Sequence, residues 1–253
     1  MTIQYASDLH LEVDKNKEYL RKHPLVPKAD VLILAGDIML FSEIESNNDF
    51  IDYCSNNFQM VYWLPGNHEY YHSYLPERNA VLNESIRSNV MLVNNIAIKR
   101  NEVRLLFSPL WSAISEVQEE KILRRMDDFK FIKQGDGLLT IKQYNQLHAD
   151  CLSFIKEELA KPFKGQNIVV THHVPTLKNY PAKYLKQGLN EAFAVELKDY
   201  IEVLTNTPYW IYGHHHKNVA DFEIGNTKLI TNQLGYVEGK GKGFDSGKVV
   251  GVL

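Results

Sequence analysis

"DVLILAGD", residues 30–37, decides the fold class. Five apolar residues in a row stop at a glycine, and a carboxylate follows at once. A strand with one wet face alternates polar and apolar side chains, whereas an unbroken apolar run suits a strand covered on both faces. Gly36 permits a sharp turn at the strand's end. Runs of the same kind recur in "TIQYAS" (2–7), "QMVYWLPG" (59–66), "NIVVTHH" (167–173) and "YWIYGHH" (209–215). Each ends in residues able to bind metal: Asp8 and His10, Asp37, Asn67 and His68, His172 and His173, then His214 to His216. In α/β sheets the carboxyl ends of the strands form the crevice where ligands bind, so five distant segments are expected to converge there.

Between the runs, helices are predicted over about 43–56, 75–88, 140–160 and 190–205, giving an α/β alternation. "AIKRNEVRLLFSPLW" (97–111) and "VADFEIGNTKLITNQLGYV" (219–237) read as antiparallel hairpins, the second turning at Gly225–Asn226. Two sheets flanked by helices accommodate both patterns. Residues 112–139 are charged and irregular, a candidate flap over a site. With no internal repeat and no linker-like stretch, residues 1–253 read as one domain.

A net charge of −3 gives no global attraction for nucleic acid or an anionic membrane. Cys54 and Cys151 are far apart with no CxxC, so any metal must use nitrogen and oxygen ligands. No apolar run approaches the ~18 residues of a membrane span, and the opening residues lack a signal-peptide pattern; a cytoplasmic protein is expected.

The strand period of two would send Asp8 with His10, and His214 with His216, to one side, leaving His215 pointing away. Gly36, Gly66 and Gly213 each precede ligand candidates, where a missing side chain permits close approach. Taken singly, Asp8 and Asp37 read more readily as helix caps than as ligands, and Asn67 in "PGN" as a turn residue.

Taken in order, "DLH", "GD", "GNHE", "THH" and "GHHH" resemble the D-x-H, G-D, G-N-H-[E/D], H and G-H-x-H blocks of the calcineurin-like metallophosphoesterases, across residues 8 to 216. The resemblance implies a four-layer α/β/β/α sandwich with two mixed β-sheets flanked by helices. It also implies two divalent metal ions as cofactors. Asp8, His10 and His216 would hold the first ion and Asn67, His172 and His214 the second, with Asp37 bridging. His68 matches the histidine beside the substrate, usually assigned to protonating the leaving group. The catalytic set is then His68, Asn67 and Asp37.

Two ions ~3.5–4 Å apart can clamp a phosphoryl oxygen and turn a bridging water into hydroxide for in-line attack. Imidazole, amide and carboxylate suit Mn, Fe, Zn, Co or Ni. His173 and His215 fall in variable slots, with supporting or surface roles, and His72 has no slot. "LRRMDDFKF" (123–131) resembles a flap segment of small bacterial members, which would put Arg124, Asp128 and Phe129 at the substrate entrance; a surface helix accounts for them equally. "GKGKGFDSGK" (239–248) lacks the phosphate-cradle order and reads as a mobile basic loop.

The expected activity is hydrolysis of a small phosphomonoester or phosphodiester such as a nucleotide. A nuclease of the same superfamily is the alternative, and a non-catalytic scaffold a further one. The protein serine/threonine phosphatase branch is disfavoured, because its second block reads G-D-x-x-D-R-G where this chain has "GDIMLFS".

Overall fold

The structure is a computed structural model that describes residues 1–186, 188–239 and 243–252. Lys240, Gly241 and Lys242 of the basic-loop stretch lie outside the described residues. The first sheet contains β1 (Thr2–Ala6), β2 (Val31–Ala35), β3 (Met60–Leu64), β4 (Leu82–Arg87) and β5 (Val90–Asn94). β6 (Ile96–Arg100) and β7 (Val103–Phe107) begin the second, and a small hairpin, β8 (Lys133–Gln134) and β9 (Gly137–Leu138), follows. β10 (Gln166–Val170), β11 (Tyr209–Tyr212), β12 (Phe222–Ile224) and β13 (Thr227–Thr231) complete the second sheet, and β14 (Val249–Gly251) returns to the first. The strand orders are β14-β1-β2-β3-β5-β4 and β12-β13-β11-β10-β7-β6. In both sheets the four central strands are parallel and the edge strands antiparallel.

The unbroken run in β2 is explained by what lies on its two faces. Val31, Ile33 and Ala35 enter the seam between the sheets, where they meet Phe107, Ile168 and Ile211. Leu32 and Leu34 face the other way, into a core with Ile51 and Cys54 of α2 (Asn48–Asn57) and Leu20 of α1 (Asp14–Lys22). The order helix, sheet, sheet, helix is completed on the far side. There Val169 and Trp210 pack with Ile155 and Ile201, whose helices are introduced below. The fold is therefore an α/β sandwich of two mixed sheets flanked by helices.

Residues 112–139 are more ordered than their charge suggests. They form α3 (Glu116–Arg125), α4 (Asp128–Phe131) and the β8–β9 hairpin. Ile122, Met126, Phe129 and Ile132 are buried at spacings of three and four, an apolar ridge set into the first sheet's core. α5 (Ile141–Ala160) begins at a capping box in which Thr140 and Gln143 bond reciprocally. Ile155 lies on it.

Both predicted hairpins form, as β6–β7 and as β12–β13 with Gly225 at φ 56°. The helix predicted over 75–88 does not: after a single turn at Leu75–Glu77 the chain becomes β4. β4 is a half-exposed edge strand paired antiparallel with β5, so tertiary pairing overrides its helix-forming composition. The helix over 190–205 shrinks to a turn at Asn190–Ala192 and, after α6 (Ala182–Leu185), the short α7 (Lys198–Glu202), which carries Ile201. The helix over 43–56 begins late, with 3-10 turns ahead of α2. α1 was not anticipated in the sequence.

Candidate active site

Asp8, Asp37 and Asn67 follow the carboxyl ends of three adjacent parallel strands, β1, β2 and β3; His172 and His214 follow β10 and β11 of the other sheet. The backbone at these ends is sharply turned. Asp8, His10, Asp37, His214 and His216 all have left-handed φ, between 49° and 78°. Side-chain residues other than glycine enter that region at a cost, and such strain collects at functional sites. The extended backbone assumed by the period-two expectation is absent, although Asp8 and His10 do share a cluster. Residues 8–10 and 213–216 lie beyond their strands and are not extended, and His214 and His216 join different clusters.

The first cluster brings together Asp8, His10, Asp37 and His216, and the second Asp37, His172 and His214. Their hydrogen bonds fix which ring nitrogens are bare. His172 Nδ1 donates to the Ala35 carbonyl at 3.0 Å and His214 Nε2 to the Ala192 carbonyl at 3.3 Å. That leaves His172 Nε2 and His214 Nδ1 as lone pairs, yet they face each other at 3.1 Å, with Asp37 Oδ2 3.3 Å from the former. Likewise His10 Nδ1 meets the Glu12 carboxylate at 2.9 Å, while His10 Nε2 faces His216 Nε2 at 2.8 Å and Asp8 Oδ1 lies 3.3 Å from the latter. Asp37 Oδ2 and Asn67 Oδ1 are buried without a hydrogen-bond partner. Converging lone pairs and unbonded carboxyl and amide oxygens repel one another unless a cation lies among them, and this nitrogen-oxygen set suits divalent transition metals. The residues fit two ions.

Supporting groups hold the donors in place. Glu12 accepts hydrogen bonds from both His10 Nδ1 and His68 Nδ1, each at 2.9 Å. Burial raises its pKa, but the two histidines more than reverse this and hold it at about 2. Burial lowers the pKa of His68, while Asp37 and Glu12 carry it up to about 9; cations on the same carboxylates would bring it back down. Glu69 accepts from the backbone of Asp37, Ile38 and Gly66 and from Trp63 Nε1 at 2.7–2.9 Å, tying the β2 and β3 ends together. A Cβ on Gly66 would stand 2.3 Å from Asp37 Oδ1, so only glycine allows this approach.

His173 and His215 are both buried rather than on the surface. His173 bonds the Pro109 carbonyl and the Tyr144 hydroxyl, and His215 bonds Gln233 and packs on Tyr180. His72 packs against Phe131.

The cleft above the clusters has a volume of about 360 Å³, with Asp37, Asn67 and His68 at its base and Tyr71, Tyr180, Tyr184, Phe193 and Tyr236 in its walls. From the 112–139 segment, Arg125, Met126 and Asp127 line it. The expected trio is displaced. Arg124 is exposed on α3 and paired with Glu120, Phe129 is core, and Asp128 is buried beneath the cleft against Asn67. α3 ends at Arg125, and the turn that follows moves the lining one residue on.

A sequence profile described as calcineurin-like phosphoesterase matches residues 1–218. The chain belongs to the calcineurin-like phosphoesterase family. This phosphoesterase is 31% identical over 265 residues to an uncharacterized protein of Acanthamoeba polyphaga mimivirus, covering 92% of this chain and 91% of that one. A phosphopantetheinyl hydrolase from Mycobacterium tuberculosis shares its fold with a TM-score of 0.71 at 17% identity, over 98% and 95% of the two chains. The phosphoesterase is thus a hydrolase of phosphoric esters whose cofactors are two metal ions. Among its described residues no helix is long and apolar enough to cross a membrane.

Glu12 and Glu69 escaped sequence reasoning as parts of the site, and Asp128, expected at the substrate entrance, instead lies against Asn67. Glu69 stands inside the "GNHE" block and Glu12 two residues past His10, so proximity to a block was the available signal for both. Asp128 had none pointing to Asn67.

Proposed function

We propose that this phosphoesterase hydrolyses small phosphomonoesters or phosphodiesters by a two-ion mechanism at the base of the cleft. Asp8, His10 and His216 would hold one ion and Asn67, His172 and His214 the other, with Asp37 contributing to both. The observation that carries this reading is the facing pair of bare nitrogens, His172 Nε2 and His214 Nδ1, beside the unbonded Asp37 Oδ2. The ions supply Lewis acidity toward phosphoryl oxygens and a hydroxide nucleophile near neutral pH.

The chain's own groups do the rest. The Asp37 carboxylate offsets cation repulsion, which a histidine cannot do. Glu12 occupies His68 Nδ1 and stabilises the imidazolium, leaving Nε2 to give its proton to the departing oxygen. The aromatic walls keep water from the reacting group and offer flat faces to the alcohol part of the ester, and Arg125 adds a positive charge. A cleft of about 360 Å³ is sized for a small molecule, which favours a nucleotide-sized ester over a nucleic-acid strand. We place its work in the cytoplasm, consistent with two free, buried cysteines.

The test is a hydrolysis screen of metal-stripped protein reloaded with Mn, Fe, Zn, Co or Ni. Substrates are p-nitrophenyl phosphate, its bis-ester, common nucleotides, a phosphopantetheinyl ester and DNA. Turnover of small esters with at least one ion is expected. Activity on DNA alone would replace this reading with a nuclease, and inactivity throughout with a scaffold.

A further inference from the structure

Asp128 touches a proposed metal ligand 61 residues away in sequence. It is fully buried, and its Oδ1 accepts hydrogen bonds from Asn67 Nδ2 and from the Tyr71 hydroxyl, both at 2.7 Å. The Tyr71 hydroxyl in turn accepts from the same Asn67 Nδ2 at 3.1 Å. A side-chain amide has one donating and one accepting end, and an ionised carboxylate can only accept. Asp128 therefore admits the NH2 end of Asn67 and repels the carbonyl end. Asn67 Oδ1 is turned away from it, buried and without a hydrogen-bond partner.

Packing does not explain Asp128. Its neighbour Phe129 and the residues Ile122, Met126 and Ile132 of the same segment are core hydrophobics, and an apolar residue at 128 would extend that core without burying a carboxylate whose Oδ2 has no partner.

We infer that Asp128 is the positioning residue that holds Asn67 with its carbonyl oxygen toward the second ion. The inference rests on the reading that Asn67, His172 and His214 share that ion. It makes the segment lining the cleft part of the apparatus that aims the ligand: Arg125, Met126 and Asp127 face the substrate, and the next residue fixes Asn67. Tyr71 joins the two roles, since its hydroxyl completes the amide's bonds and its ring lies 4.3 Å from that of His68.

The experiment counts bound Mn2+ in metal-stripped protein as free Mn2+ is raised, and records the melting temperature without metal. Wild-type protein should take up two equivalents. Asp128→Ala should keep one equivalent at wild-type affinity and bind the other about 10–100-fold more weakly, the usual cost of losing an outer partner of a metal ligand. A second equivalent retained within twofold, or both weakened equally, overturns the assignment.

An isosteric swap decides the matter even if Asp128→Ala does not fold. Asn67→Asp alone sets two carboxylates against each other and should weaken the second equivalent. Adding Asp128→Asn gives the new carboxylate an amide donor and should restore it. A double variant no better than Asn67→Asp overturns the inference. Wild-type uptake of one equivalent overturns the two-ion reading and the inference with it.

Discussion

Asp37 belongs to both clusters, its Oδ2 3.3 Å from His172 Nε2 and 3.8 Å from His10 Nε2. Replacing it with Asn removes the one charge that the two ions would share. Asp37→Asn should bind less of both ions and lose turnover by at least about 100-fold, more than an outer partner's loss costs; metal content and turnover of the purified variant check this. His68→Ala should keep both ions yet slow alkyl or ribose esters by about 10²–10⁴-fold, the contribution of a positioned acid. A p-nitrophenyl ester, whose leaving group needs little protonation, should slow far less. A loss that stays flat across leaving-group pKa would make His68 an electrostatic clamp instead. All eight residues of the proposed site are legible in five short blocks, because those blocks encode donor type and order. The reason His214 and His216 part company was not legible: it lies in backbone turns with positive φ, which a period-two reading of "GHHH" cannot contain.

α5 does more than cover the second sheet. His148 Nδ1 donates to the carbonyls of Leu110 and Trp111, two consecutive left-handed residues where the chain leaves β7 for α3. Burial lowers the His148 pKa below its usual 6.5, and these carbonyls only partly oppose that. The unfolded chain then takes up the proton first. The stability His148 contributes is whole above about pH 6.5 and is lost as pH falls toward the folded value. In EDTA, the melting temperature of wild-type protein should drop more between pH 7.5 and 5.5 than that of His148→Gln, which keeps a donor and does not titrate. Equal drops would remove His148 from the acid response. Elements with strong internal signals, such as the β2 run and the long helix over 140–160, were readable. β4 was not, because "LNESIR" becomes a strand only by pairing with β5, and neither was the ridge of Ile122, Met126 and Phe129 hidden among charges.

The sandwich was legible as a whole because strands buried on two faces, each ending in a donor, leave few other architectures open; which sheet each strand joined was not. On the proposed ligand set each ion takes donors from both sheets, Asp8 and His10 with His216, and Asn67 with His172 and His214. Folding and metal uptake are then linked. At 100 times its dissociation constant each ion adds about 2.7 kcal/mol, and the pair should raise the melting temperature by on the order of 10 °C. A melting temperature indifferent to Mn2+ and EDTA would show that no ion spans the sheets. The seam between the sheets is otherwise held by Ile33, Phe107, Ile168 and their neighbours, contacts that no solute can adjust. The ions would act there as a removable cross-link, the counterpart of a disulfide in a secreted domain, so that metal scarcity would silence the enzyme and expose it to proteolysis in a single event.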